Sequence, residues 1–175
     1  MSDQPQEPGR QSVLEALDRH KVRYVVIGGV AAEARGWRGR TIDIDIVPAP
    51  EPENLDLLAA ALNELDAKIA VGVSEPDGLA VPGGFDRRLL ATNTIWNLIT
   101  PHGPLDLTFT PSGTDGYHDI ARHATPTRIP GSAHVALVAS SADIIRSKTA
   151  AGRPKDLAIL PQLQAELEPD QGTHE

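Results

Sequence analysis

The sequence predicts an α/β (α+β) fold for this chain of 175 residues, because strand patterns and helix patterns follow one another along it. Residues 41–47 alternate apolar and polar side chains with the period of a half-buried strand. Residues 53–66 place leucines on one face of a helix. Residues 94–100 and 105–110 are apolar segments that flank a Pro- and Gly-containing turn, which is typical of a β-hairpin.

The other predicted elements are shorter. In chain order they are a helix over residues 12–20, a strand over 22–27, a helix over 30–35, a strand pair over 125–129 and 134–138, and closing helices over 141–151 and 154–167. Ser12 and Ser141 are the expected N-caps of their helices, and Pro161 should kink or interrupt the last one. Residues 71–84 are rich in Gly and Pro and should form a loop near the edge of the sheet.

Composition limits the classes of protein that the chain can represent. Its hydrophobic content of 40% is ordinary for a globular domain, and we expect a single domain over residues 11–167 with disordered tails at 1–10 and 168–175. No apolar run is long enough to span a bilayer, and the polar N-terminus has no signal-peptide segment. There are no cysteines, which excludes disulfides and thiolate metal sites. These features favour the cytoplasm and no membrane partner.

The formal net charge of −8 argues against a protein that binds nucleic acid through its overall charge. The basic residues are concentrated in two segments, 35–40 and 146–155, while much of the acid lies in the tails and in residues 51–66. A local basic patch is therefore the only electrostatic route to a polyanion that the sequence offers.

Three carboxylates are the main candidates for chemistry. Residues two apart on a strand share a face, so Asp43 and Asp45 should lie together while Ile42, Ile44 and Ile46 supply burial on the opposite face. Asp106 repeats the pattern between Leu105 and Leu107. If the two strands are neighbours, the three carboxylates converge into a set of hard oxygen ligands that suits Mg²⁺ or Mn²⁺. The alternative is a strand with one solvated face that happens to carry aspartates.

Gly28 and Gly29 follow an apolar strand and open a helix. Backbone N–H groups at such a turn can face an anion, and the absence of side chains lets a phosphate approach closely. An ordinary strand-to-helix turn is the alternative. The sequence contains neither of the common glycine-rich phosphate motifs, G-x-G-x-x-G and G-x-x-x-x-G-K-[ST].

These motifs, taken together, resemble the DNA polymerase β-like nucleotidyltransferases. That family has a Gly-Gly or Gly-Ser turn, about a dozen residues, and then Asp-x-Asp in a strand, as in Gly28-Gly29 followed by Asp43-Ile44-Asp45. Leu105-Asp106-Leu107 looks like its third carboxylate strand. The C-terminal segment, with Lys148, Arg153, Lys155 and Asp156, is similar to the closing motif of minimal bacterial members, the abortive-infection and toxin-type nucleotidyltransferases.

The resemblance implies the nucleotidyltransferase fold, a mixed β-sheet with helices packed on one side. It also implies transfer of an NMP from a nucleoside triphosphate to an acceptor hydroxyl, with Mg²⁺ or Mn²⁺ as cofactor. The catalytic and metal-binding residues would be Asp43, Asp45 and Asp106. The nucleotide-binding residues would be Gly28, Gly29, Arg40, Thr41, Lys148, Arg153 and Asp156. Asp156 also has a structural interpretation, since it could pair with Lys148 or Arg153.

The chain departs from the family at two positions. Gly29 stands where many active members have Ser, and Gly39 stands where relatives often have Arg. The acceptor suggested by the toxin-type group is RNA, in particular tRNA, with a cognate antitoxin as a candidate partner. A small hydroxyl compound and a protein side chain remain alternative acceptors, and a non-catalytic member that binds a nucleotide or protein is the alternative function.

Overall fold

The computed structural model describes residues 8–170, which form one seven-stranded sheet and seven helices. The strands are β1 (Tyr24–Ile27), β2 (Ile44–Pro48), β3 (Lys68–Ile69), β4 (Ile95–Thr100), β5 (Gly103–Thr108), β6 (Thr125–Arg128) and β7 (Val135–Val138). The helices are α1 (Pro8–Arg19), α2 (Gly28–Ala34), α3 (Pro52–Glu64), α4 (Arg87–Leu90), α5 (Tyr117–Ala121), α6 (Ser141–Ala151) and α7 (Pro154–Glu166).

The sheet is mixed, with strand order β3-β4-β5-β2-β1-β7-β6. The pairs β2–β5 and β1–β7 are parallel, and the other pairs are antiparallel. The predicted α/β fold with a mixed sheet is therefore confirmed. Because β2 lies between β1 and β5, the segment that carries Asp45 is at the centre of the sheet, where its backbone is fixed on both sides.

Apolar alternation explains how the central strands are buried. Ile44 and Ile46 of β2 and Leu105 and Leu107 of β5 are all buried in the core. Helix α3 adds its leucine face to that core, as its sequence period predicts. Alternation then leaves Asp45 and Asp106 on the opposite, half-buried face of the sheet.

The predicted position of Ile42 is wrong. Strand β2 begins at Ile44, and the side chain of Ile42 is 69% exposed. The alternating pattern extends further towards the N-terminus than the pairing does, because residues before Ile44 have no ladder partner on β1. Asp43 consequently lies on the segment that leads into the strand.

Three expectations about helix ends also need correction. Helix α1 begins at Pro8, so Ser12 is not its N-cap and the expected tail boundary at residue 11 falls inside a helix. Ser140, not Ser141, caps α6, and its hydroxyl accepts the Asp143 N–H at 3.1 Å. Helix α7 continues through Pro161 without interruption.

At the C-terminal end, the Asp170 carboxylate accepts the Ser141 N–H at 2.7 Å, so the expected tail is bound to the domain at least to this residue. The predicted tail segments 1–7 and 171–175 lie outside the described residues. None of the helices between residues 8 and 170 combines the length and the apolar character that crossing a bilayer requires.

Candidate active site

The sheet register brings two of the three predicted carboxylates side by side. Asp45 of β2 lies directly opposite Asp106 of β5 in the parallel pair, and opposite Ile27 of β1 on its other side. Asn97 of β4 lies opposite Asp106 in turn. Paired residues of adjacent strands point to the same face. Asp45, Asp106 and Asn97 therefore form a polar row across three strands.

The two carboxyl groups share a hydrogen bond, and both have raised pKa values. Burial, followed by the charges of Asp106 and Asp43, raises the pKa of Asp45 to about 7, and the positive charge of Lys148 opposes the rise. Burial and the charge of Asp43 also raise the pKa of Asp106. Without a cation, one proton shared between the two groups relieves their repulsion.

Asp43 is close enough to contribute to both pKa shifts, but it does not complete a closed ligand set. Among residues 8–170, no three His, Cys, Asp or Glu side chains are arranged as a ready metal site. The sequence analysis thus predicted the neighbouring strands and the shared electrostatics. A fully assembled three-carboxylate centre is not what the structure shows.

Close neighbours explain why Gly28 and Gly29, the two residues of the glycine turn, have no side chains. Gly28 has φ +66°, and a Cβ there would collide with the Asp45 carboxylate. A Cβ on Gly29 would lie 2.6 Å from Cγ2 of Thr41. Thr41 therefore fills the space that a side chain at position 29 would occupy.

The C-terminal cations surround a buried carboxylate. Asp156 is fully buried; its carboxylate accepts from Lys148 Nζ at 3.1 Å and from Arg153 Nε at 2.6 Å. Burial opposes ionisation of Asp156, but hydrogen bonds from Arg153 and Lys148 outweigh it and lower its pKa. Lys148 is only partly exposed, and its positive charge also lowers the pKa of Asp45, so it lies near both aspartates.

Two further cations act on the carboxylate row. The positive charge of Lys155 lowers the pKa of Asp106, against the larger effect of burial. The hydrogen bond to Asp156 raises the pKa of Arg153 against the opposing effect of burial, and the negative charges of Asp156 and Asp45 add to the rise. Lys148, Arg153 and Lys155 of the basic segment 146–155 therefore lie near the carboxylates, whereas Arg146 pairs with Asp119 and Asp143.

The arginines of the basic segment 35–40 have different surroundings. Arg35 bonds the carbonyls of Ala139 and Val138 at 3.0 and 2.8 Å, so its guanidinium is occupied in joining α2 to the end of β7. Arg38 and Arg40 are exposed on the loop before β2. Thr41 is bound through its backbone, donating its N–H to Glu33 Oε1 at 2.9 Å.

Sequence reasoning missed Arg10, Glu33 and Asn97. Arg10 fell in a segment expected to be disordered, and its burial depends on contacts up to 120 residues away. Glu33 has no motif around it. Asn97 could have been found from the predicted hairpin, since its register with Asp106 follows from the turn.

No family model and no curated protein matches the chain. Solved structures do match it. The lincosamide antibiotic adenylyltransferase LnuA, bound to lincomycin, has a TM-score of 0.59 at 14% identity, covering 91% of this chain and 96% of its own. ANT(2'')-Ia in complex with adenylyl-2''-tobramycin has a TM-score of 0.57 at 18% identity, covering 93% and 89%.

The chain has the nucleotidyltransferase fold. A solution structure of the antibiotic-resistance factor ANT(2'')-Ia agrees, with a TM-score of 0.56 at 17% identity over 91% of this chain and 83% of its own. Because these identities are low, the likeness establishes the nucleotidyltransferase fold and leaves substrate and chemistry to the residues of the site.

Proposed function

We propose that the protein transfers an NMP from a nucleoside triphosphate to an acceptor hydroxyl. The observation that carries the proposal is the in-register pair of Asp45 and Asp106 on the central parallel strands, with Asp43 beside them and Lys148 facing them. A non-catalytic binding protein has no need of carboxylates close enough to raise one another's pKa.

The donor set fits Mg²⁺ or Mn²⁺, since it consists only of carboxylate oxygens and since its repulsion is relieved by added positive charge. Asp45 and Asp106 would hold the cation together, with the neighbouring Asp43 as a third ligand. When bound, such a cation neutralises charge on the triphosphate and on the reacting oxygens.

The phosphates would bind between the glycine turn and the C-terminal cations. Gly28 packs directly against the Asp45 carboxylate, and Lys148 and Arg153, held by Asp156, supply positive charge near it. Since the Asp156 carboxylate is fully buried, we assign it to holding these two cations in place. Arg40 and Thr41 are the remaining candidates for nucleotide contacts, on the loop before β2.

The chemical step follows from the position of Asp106. Asp106 lies beside Asp45 in the parallel strand pair, where it would accept the proton of the acceptor hydroxyl as general base. The hydroxyl oxygen then forms a bond to the α-phosphorus, the bond to the bridging oxygen breaks, and pyrophosphate leaves. Positioning and charge neutralisation would supply most of the rate.

The proposed acceptor is RNA, in particular tRNA, in a reaction of the toxin type with a cognate antitoxin as partner. The similarity of the closing motif and the exposure of Arg38 and Arg40 support it. Transfer to a small hydroxyl compound is the second candidate, since solved structures of this fold hold lincomycin or adenylyl-2''-tobramycin.

The test is a transfer assay with each α-labelled nucleoside triphosphate and Mg²⁺. Total tRNA, protein, and a panel of aminoglycosides and lincosamides serve as acceptors. The proposal predicts stable label in one acceptor class, dependent on Asp106. Label on small molecules or protein and none on tRNA would refute the RNA acceptor while leaving nucleotidyl transfer intact.

A further inference from the structure

We propose that the buried ion pair of Arg10 and Glu33 is a positioning device that fixes Thr41 and thereby the Asp43 backbone at the metal site. The inference rests on the proposed function, because it concerns how that site is held. It adds two positioning residues, from α1 and α2, that contact none of the three carboxylates.

The pair holds both backbone groups of Thr41. Glu33 Oε1 accepts the Thr41 N–H at 2.9 Å, and Arg10 donates to the Thr41 carbonyl at 2.7 Å. Arg10 also donates to Glu33 Oε2 at 3.2 Å and to the Pro130 carbonyl at 2.8 Å. One guanidinium therefore links α1, α2, the loop before β2 and the turn after β6.

Thr41 passes this constraint to the site by two contacts. Its hydroxyl accepts the Asp43 N–H at 3.3 Å, which fixes the backbone of the aspartate outside the sheet ladder. Its methyl group lies against Gly29 of the glycine turn. Asp43 has no strand pairing of its own in the described residues, so its backbone is held by the hydrogen bond to Thr41 and by its neighbour Ile44, which pairs with Leu105.

The energetics favour positioning over stability as the role of the pair. The side chains of Arg10 and Glu33 are only 6% and 12% exposed, so both charges are removed from water. Arg10 Nε is buried and has no hydrogen-bond partner within residues 8–170. A buried pair of this kind seldom stabilises a fold more than apolar residues of similar volume, although removing one partner is costly.

The test compares Arg10→Met with the double variant Arg10→Met/Glu33→Leu. The single variant leaves Glu33 buried without its partner and should lose stability, whereas the double variant should regain most of it. Both should show faster exchange of the Thr41 and Asp43 amides in metal-free protein. Both should also bind Mn²⁺ about tenfold more weakly, the usual cost of losing outer-shell support.

Arg35→Met is the matched control, because Arg35 also bonds two carbonyls but at the end of β7. It should lose stability and leave Thr41 exchange and Mn²⁺ affinity unchanged. A double variant that regains stability together with wild-type exchange and Mn²⁺ affinity overturns the proposal. Absence of Mn²⁺ binding in the wild type would refute the metal site instead, and the amide exchange would still decide the role of the pair.

Discussion

At the scale of single residues, the protonation of Asp45 links the candidate site to the stability of the fold. Its carboxyl group has a pKa of about 7 in the folded protein, against the ordinary value of 3.8. The native state therefore holds this proton more tightly than the unfolded chain does. The free energy of unfolding should rise as the pH falls from above 7 toward 3.8, and this gain is lost at higher pH.

Asp45→Asn should remove this pH dependence in metal-free protein and should stabilise the fold at pH 8 by roughly 2–4 kcal/mol. Urea unfolding of both proteins with a chelator, between pH 5 and pH 8, measures the effect. Equal pH dependence in variant and wild type would show that the carboxylates do not interact as described.

Lys148 has a second residue-scale consequence. We assign the Lys148 ammonium to the β- and γ-phosphates, which a monophosphate lacks. Lys148→Ala should therefore weaken triphosphate binding by roughly 1.5–3 kcal/mol and monophosphate binding less. Calorimetric titration with both nucleotides measures the difference. Equal losses would contradict the assigned contact.

At the scale of elements, Asp156 connects α6 to α7. Asp156→Asn should cost roughly 2–3 kcal/mol of stability through weakened charged hydrogen bonds and should also lower triphosphate affinity, because Lys148 loses its anchor. In the wild type, the stability that ionised Asp156 contributes is fully present above pH 3.8. It is lost as the pH falls through the lowered pKa that Asp156 has in the folded protein.

The matched control is Asp119→Asn. Asp119 lies on α5 and is another buried carboxylate with two arginine partners, Arg122 at 3.2 Å and Arg146 at 3.0 Å. It should cost similar stability without changing triphosphate affinity. If both variants reduced affinity equally, the effect of Asp156 would be general loosening of the fold.

The glycine turn is the other element that can be tested. Gly28→Ala should cost about 1–2 kcal/mol from its positive φ and should also displace Asp45 and reduce Mn²⁺ binding. Gly83→Ala is the control, since it has φ +79° with no atoms near its Cβ position. Unfolding curves and Mn²⁺ titrations separate strain from displacement, and equal Mn²⁺ affinity in the two variants would contradict the contact.

What the sequence predicts well are features with a local cause. The alternation in β2, the leucine face of α3 and the hairpin turn each specify their element within a few residues. The exposure of Ile42 and the burial of Arg10 could not be predicted, because they depend on where pairing ends and on contacts between distant segments. Asp45 and Asp106 could be paired only by combining two strand patterns with the resemblance.

At the scale of the whole molecule, the net charge of −8 opposes RNA at distances beyond the Debye length of about 8 Å. If RNA is the acceptor, replacing Arg38 and Arg40 with Ala should raise the KM for RNA and flatten its salt dependence, with little change in nucleotide affinity. The control replaces Arg87 and Arg88 on α4 with Ala, which removes the same amount of charge at a different place on the surface. Equal effects from the two pairs would indicate overall charge and not a local path.

The central claim is that Asp43, Asp45 and Asp106 form one cation site for a nucleoside triphosphate. The most direct measurement is Mn²⁺ titration of the wild type and of Asp45→Asn, with and without each of the four triphosphates. We expect Mn²⁺ binding that is strengthened by a triphosphate and weakened at least about tenfold in the folded variant. Equal Mn²⁺ affinity in the two proteins, or no Mn²⁺ binding by the wild type with any triphosphate, would contradict it.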